Sequence, residues 1–182
     1  MTTLCIDGKN GKLYADSRAS WGGKWELIAG LIPIKTPFMF EDDYDHKIEK
    51  LDDNVYMLGC GRVSILDYMK MCLRTGMIID IPPKYLLDED CSSKIFLVTK
   101  IGGDVYIETI SLEVKKNFFR TKYSLERKWY KNKIIFSGSG SRYAFKSWSR
   151  KDGQHKGDCL HAMYVAKQLD KYSGGEIYEV RL

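Results

Sequence analysis

Asn10-Gly11 stands between two short runs, residues 2–7 and 12–17, that read as strands. An Asn-Gly pair in that position is a strong hairpin signal, because both residues tolerate the positive φ of a tight turn. The chain is therefore expected to open as two antiparallel strands joined at Lys9-Asn10-Gly11. A second hairpin is predicted over 47–51 and 54–60, around Asp52-Asp53-Asn54, and a third pair of strands over 94–100 and 104–112, joined at Gly102-Gly103.

Apolar spacing changes to the helical period over about 63–75, where Ile65, Leu66, Met69, Cys72 and Leu73 share one face. Pro82-Pro83 blocks a helical continuation beyond it. Residues 133–137 read as a strand that ends in Gly138-Ser139-Gly140-Ser141. Helices are expected at about 141–150 and 158–170, the second capped by Asp158, and a closing strand at 176–181. Residues 19–46 read as irregular, with Gly22-Gly23, Pro33, Pro37 and the acidic group Glu41, Asp42, Asp43 and Asp45. The order of strands, helix, strands, two helices and strand suits two antiparallel sheets with helices on their outer faces. A chain of 182 residues suits one domain, 1–182, with enough length for a packed core.

Composition narrows the function classes. Hydrophobic residues at 44% and charged residues at 29% describe a folded globular chain rather than a disordered one. No apolar stretch approaches the ~20 residues of a membrane span, and no export signal is expected. The five cysteines are odd in number and scattered, which suits reduced thiols and a cytoplasmic location. No Cys-x-x-Cys or His-x-x-x-His pairing occurs, so no structural zinc site is expected, and no cofactor or other metal is called for. A net charge of +5 allows acidic partners without requiring them.

Thr2 carries the sharpest chemical suggestion. If Met1 is removed, this residue holds a hydroxyl and a free α-amine together, a nucleophile with its own base. A Met-Thr start alone has little weight. Further segments supply the rest of such a site: Tyr14-Ala15-Asp16-Ser17-Arg18-Ala19-Ser20, Lys47-Ile48-Glu49-Lys50-Leu51 followed by Leu58-Gly59-Cys60-Gly61, Gly138-Ser139-Gly140-Ser141 with Tyr143-Ala144, and Asp170-Lys171-Tyr172-Ser173-Gly174-Gly175.

Together with Thr2-Thr3-Leu4, these segments resemble, in order, the catalytic β-subunits of the proteasome core and, more distantly, the bacterial protease HslV. The resemblance implies an α+β fold, the four-layer αββα sandwich of N-terminal nucleophile hydrolases. It also implies threonine-type endopeptidase activity on polypeptides, a homo-oligomeric ring, and an ATP-dependent unfoldase as a candidate partner. Carried over, Thr2 Oγ attacks the peptide carbonyl, and the Thr2 amine, ordinarily of pKa about 7.7–8.0, takes the proton. Lys47 sets a positive charge beside the hydroxyl and Asp16 orients it. The Gly61 N–H donates to the oxyanion, a role typically worth about 3–4 kcal/mol. Ser139, Asp170 and Ser173 hold the network around the amine. Gly59, Asp67 and Ala19 fall at substrate-binding positions, and Gly59 with Asp67 suggests cleavage after Arg or Lys.

The chain departs from the family pattern in two places. It carries an insertion at about 21–45, and Pro82-Pro83 with Asp88-Glu89-Asp90 replaces much of the family's second helix, which is expected to be shortened. Plainer readings exist for the singled-out residues. Asp16 could be a turn acid, Lys47 and Asp67 solvated side chains, Ser139 and Ser173 cap or turn hydroxyls, and Gly59 and Gly61 backbone requirements. His46, His155 and His161 read as structural or surface residues.

A different class of function competes. Residues 115–133 interleave basic and aromatic side chains, including Lys122, Tyr123, Arg127, Lys128, Trp129 and Lys131. That composition allows a catalytically idle binding module for nucleic acid or a protein partner. The alternative for the same stretch is a hairpin with a basic solvated face. The joint presence of Thr2, Asp16, Lys47, Ser139, Asp170 and Ser173 favours the hydrolase and makes nucleic acid the weaker expectation.

Overall fold

A computed structural model describes residues 3–21, 25–28, 32–35, 37, 39–42, 47–80, 91–117, 120–150 and 154–182. The opening hairpin forms from β1 (Thr3–Asp7) and β2 (Lys12–Asp16), with Leu4 opposite Ala15 and Ile6 opposite Leu13. Gly11 takes the positive φ of 62° that the Asn-Gly signal anticipates. The Asp7 carboxylate accepts from Lys9 N at 3.2 Å, Asn10 N at 3.1 Å and Asn10 Nδ2 at 2.7 Å, which satisfies the turn locally.

Two larger antiparallel sheets organise the described residues. One has the order β12 (Ile134–Gly138), β1, β2, β13 (Ile177–Arg181). The other has the order β11 (Arg120–Lys131), β10 (Asp104–Asn117), β9 (Cys91–Ile101), β8 (Val55–Cys60), β7 (Ile48–Asp52). One apolar cluster joins the sheets: Leu4, Ile6, Leu13 and Ala15 meet Leu58, Cys60, Phe96, Val98, Val105 and Ile107. The alternate residues Cys5 and Tyr14 meet Cys159 and Met163 of a helix, α3 (Cys159–Leu169). β1 is thus buried along its whole length, which explains an apolar run in place of the alternation of a half-exposed strand.

On the other sheet, Met57, Ile95, Ile110 and Leu112 pack against Ile65, Leu66, Met69 and Cys72 of α1 (Val63–Thr75). The helical stripe read from the sequence is this buried face, and Gly76 ends the helix in the left-handed conformation at φ 68°. α2 (Ser141–Trp148) packs on α3 through Ala144, Ala162 and Ala166. The side chain of Asp158 caps α3, accepting from His161 N at 3.0 Å.

The structure adds strands where the sequence reading had none. Within 19–46, β3 (Ala19–Trp21) pairs with β6 (Met39–Glu41), and β4 (Trp25–Ile28) pairs with β5 (Ile32–Lys35). Pro33 sits in a two-stranded ribbon, where only one side of the strand needs a donor. β10 continues to Asn117 rather than stopping near 112, and β11 pairs with it from Arg120 to Lys131. The basic-aromatic stretch is therefore largely a long hairpin. The expected shortening of the second family helix concerns 81–90, outside the described residues.

Candidate active site

The site lies where β1, β2, the start of β7, the end of β12 and the loop before β13 converge. Asp16 closes β2 and its side chain is buried. Its Oδ1 accepts from Lys47 Nζ at 2.8 Å and from Thr3 N at 3.1 Å, and its Oδ2 accepts from Gly174 N at 3.1 Å. Lys47 Nζ also donates to the Arg18 carbonyl at 2.5 Å. The ammonium has three donors, so these bonds leave one uncommitted among the described residues.

Burial dominates the electrostatics of this pair. It raises the Asp16 pKa above the ordinary carboxylate range, against the opposing pull of the Lys47 charge. It lowers the Lys47 pKa below that of a free lysine, against the opposing pull of Asp16. A lysine held in this way gives up its proton more readily than a solvated one.

A second set of bonds runs through hydroxyls. Ser139 Oγ and Ser173 Oγ both donate to Asp170 Oδ2, at 2.6 and 2.7 Å. Ser173 Oγ lies 2.5 Å from Thr3 Oγ1, and Gly140 N donates to Thr3 Oγ1 at 2.9 Å. A serine hydroxyl has one proton, and that of Ser173 goes to Asp170. Thr3 must therefore donate to Ser173, which fixes a directed chain from Gly140 N through Thr3 and Ser173 to Asp170. Thr3, Ser173 and Asp170 are all buried. Asp170 stands at the end of α3, and Ser139 and Gly140 stand between β12 and α2, so the packing of these helices sets the geometry.

Arg18 ties the inserted segment to this loop. It donates from Nη1 to the Ser173 carbonyl at 3.2 Å and from Nη2 to Asp42 Oδ2 at 3.0 Å, with a further ion pair from Nε to Asp42 Oδ1. The guanidinium holds the Asp42 carboxyl below its usual range. A Cβ on Gly174 would displace the Arg18 guanidinium from its place against this loop.

The predicted residues do not all converge. Thr2 lies outside the described residues. Asp16, Lys47, Ser139, Asp170 and Ser173 belong to the two bonded sets, which meet at Thr3. Gly61 follows β8 at φ 130°, where a Cβ would meet Ser92 O at 2.5 Å and Ser93 Cα at 2.6 Å. The positive φ and the close approach of Ser92 and Ser93 require glycine at this position. Gly59 is buried in β8, and a Cβ there would lie 3.3 Å from the Leu66 side chain. Asp67 is exposed on α1, and Ala19 is half-buried at the start of β3. Sequence reasoning missed Thr3, Gly140 and Arg18 as parts of the network, although each sits inside a segment it had singled out. Among the described residues no cluster of His, Cys, Asp and Glu could hold a metal, and no helix is long and apolar enough to cross a membrane.

No protein-family profile and no curated protein sequence matches the chain. Solved structures do. Thiobacillus denitrificans BPH, solved in complex with epoxomicin, aligns over 100% of this chain and 98% of its own at a TM-score of 0.54 and 14% identity. Eukaryotic HslV from Trypanosoma brucei aligns over 100% of both chains at a TM-score of 0.46 and 12% identity. The chain shares the fold of the BPH structure. At these identities the likeness is one of fold.

Proposed function

We propose that this chain is a threonine-type peptidase whose nucleophile is Thr2 Oγ and whose base is the Thr2 α-amine once Met1 is gone. The observation that carries this reading is the shared oxygen of Asp16. The peptide nitrogen directly after Thr2 and the Lys47 ammonium both lie within 3.1 Å of Oδ1. A buried cation beside the first peptide of the chain has an evident use if the adjoining residue must form an alkoxide-like state.

In this mechanism Thr2 Oγ adds to the scissile carbonyl as the amine removes its proton. Lys47, oriented by Asp16 and the Arg18 carbonyl, stabilises the developing negative charge. The Gly61 N–H receives the oxyanion. Collapse transfers the amine's proton to the leaving nitrogen and leaves an acyl-enzyme ester, which water hydrolyses. Ser139, Ser173 and Asp170 hold the amine and water through the hydroxyl chain that Thr3 completes. Gly59, Ala19 and Asp67 line the substrate cleft, with Asp67 favouring Arg or Lys before the scissile bond.

The fold supports the four-layer αββα arrangement for this chemistry. One cluster joins the sheets, α1 packs on the outer face of one sheet and α3 on that of the other. The protein works in the cytoplasm on polypeptides as a single catalytic domain, assembles with copies of itself into a ring, and takes chains delivered by an ATP-dependent unfoldase. No metal or organic cofactor enters the reaction. Intact mass of the protein produced in a cell, read together with peptide turnover by wild type and Thr2→Ala, tests the reading. Loss of one Met and loss of turnover in the variant are expected. Undiminished turnover by Thr2→Ala defeats it.

A further inference from the structure

The β10–β11 hairpin leaves a long edge with no role in the proposed site. Among the described residues β11 has a neighbour on one side only, and its pairing with β10 runs unbroken from Arg120 opposite Asn117 to Lys131 opposite Tyr106. Residues 122–129 are all exposed. The other edge of this sheet, β7, is five residues long and has a register shift between Lys50 and Asp52, the kind of irregularity that blunts an edge. β11 has no proline and no bulge in its register. It also exposes Trp129 at 69%.

Three cations of this strand are already paired within the chain. Arg127 pairs with Glu108 at 3.3 Å, Lys128 with Glu126 at 2.8 Å and Lys131 with Asp104 at 2.8 Å. Cations bound to carboxylates are poor phosphate ligands, which weakens the nucleic-acid reading of the stretch. Their local balance also lowers the cost of bringing two such strands together.

We propose that β11 is a self-association edge, pairing antiparallel with β11 of a second copy about a two-fold axis at Arg127. Charge and paired length together favour this register: an axis at Tyr123 also avoids like charges but pairs only residues 120–126, whereas one at Arg127 pairs residues 123–131. Ladder pairs alternate between hydrogen-bonded and open, so a two-fold axis normal to the sheet passes through a residue opposite itself. An axis at Glu126 or Lys128 sets that charge against itself. One at Leu125 sets Lys122 against Lys128, and one at Ser124 sets Arg120 against Lys128. An axis at Arg127 sets Glu126 opposite Lys128 twice and Leu125 opposite Trp129 twice, with Tyr123 opposite Lys131. The residue that then faces itself, Arg127, is held by Glu108 of β10, whereas Glu126 and Lys128 are held by one another on β11 itself. The result is an isologous contact that extends the sheet across two chains. It is independent of the catalytic reading.

Sedimentation of the full chain distinguishes the outcomes. Wild type should sediment at twice the 21.0 kDa chain mass or a higher multiple. Glu126→Lys and Lys128→Glu each set like charges opposite one another and should weaken this association roughly tenfold, at about 1.4 kcal/mol per tenfold step. The double variant restores opposite charges in the same register and should recover most of it. Trp129→Ser should weaken association with little change in thermal unfolding of the monomer. A monomeric wild type, insensitivity to either reversal, or failure of the double variant to recover would overturn the proposal. So would tight, salt-dependent binding of a single-stranded RNA to a monomer through Arg127 and Lys128, which would assign the surface to nucleic acid.

Discussion

Lys47 Nζ lies 2.8 Å from Asp16 Oδ1, and both side chains are sealed from solvent. A pair of this kind does little for stability by itself, because desolvation of two charges offsets much of their attraction. Removing one partner is another matter, since it strands the other charge in the interior. The pair is better understood as an orienting device for the ammonium than as a stabilising bridge.

Lys47→Ala should therefore reduce peptide turnover by orders of magnitude. It should also cost about 3–5 kcal/mol of stability by leaving Asp16 without its partner. Lys50→Ala is the control: Lys50 pairs at 3.0 Å with exposed Asp53, and its loss should change neither property appreciably. Steady-state assays with urea unfolding compare them. Silencing by Lys50→Ala instead would place the catalytic cation at the wrong lysine.

Burial lowers the Lys47 pKa, so turnover should fall on the alkaline side before the ordinary lysine value of about 10.4 is reached. Asp16 counteracts that lowering. Asp16→Asn should move the alkaline limb of kcat to lower pH as well as reduce its plateau. For stability the signs are opposite for the two partners. Stability rises as pH climbs from the lowered folded pKa of Lys47 to about 10.4, and falls as pH climbs from about 3.9 through the raised folded pKa of Asp16. An alkaline limb that stays in place in Asp16→Asn would show that Lys47 does not govern it.

Thr3→Val keeps the shape of the side chain and removes the hydroxyl that links Gly140 N to Ser173 Oγ. Leaving those buried groups short of a partner should cost about 1–3 kcal/mol. Turnover should fall with it, because Ser173 and Asp170 lose one end of their chain. Thr3→Ser should retain most of both. Equal activity of Thr3→Val and wild type would reduce the hydroxyl chain to a structural detail.

In the proposed mechanism Leu66 already lies against Gly59, which leaves Asp67, exposed on α1, to supply a preference for a cationic side chain. Among fluorogenic peptides with Arg, Leu or Glu before the scissile bond, the Arg peptide should turn over fastest. Asp67→Asn should reduce its kcat/KM relative to the Leu peptide. Faster cleavage of the Leu or Glu peptide by wild type would remove Asp67 from the specificity argument.

Much of this architecture was legible in the sequence where local chemistry and tertiary packing agree. The Asn10-Gly11 turn, the stripe of α1 and the Asp158 cap all appear where local pattern places them. The Lys47–Asp16 contact was legible only through the resemblance, since a lysine before a strand is ordinarily solvated. β11 was legible as the hairpin reading of the basic-aromatic stretch but without its bounds, because the charges interleaved among its exposed residues 122–129 read as surface composition. The ribbons within 19–46 were missed because Gly22-Gly23, Pro33 and Pro37 punctuate them into pieces shorter than a periodic signal. Thr3 looked like an ordinary strand residue. Its part in the site depends on Gly140 and Ser173, which lie far along the chain.

The most direct measurement of the central claim is covalent labelling by a peptide epoxyketone, followed by mass mapping of wild type and Thr2→Ala. The account predicts a wild-type chain that has lost Met1 and carries one inhibitor on Thr2, with labelling absent in Thr2→Ala. Labelling at another residue, or undiminished labelling of Thr2→Ala, would contradict it.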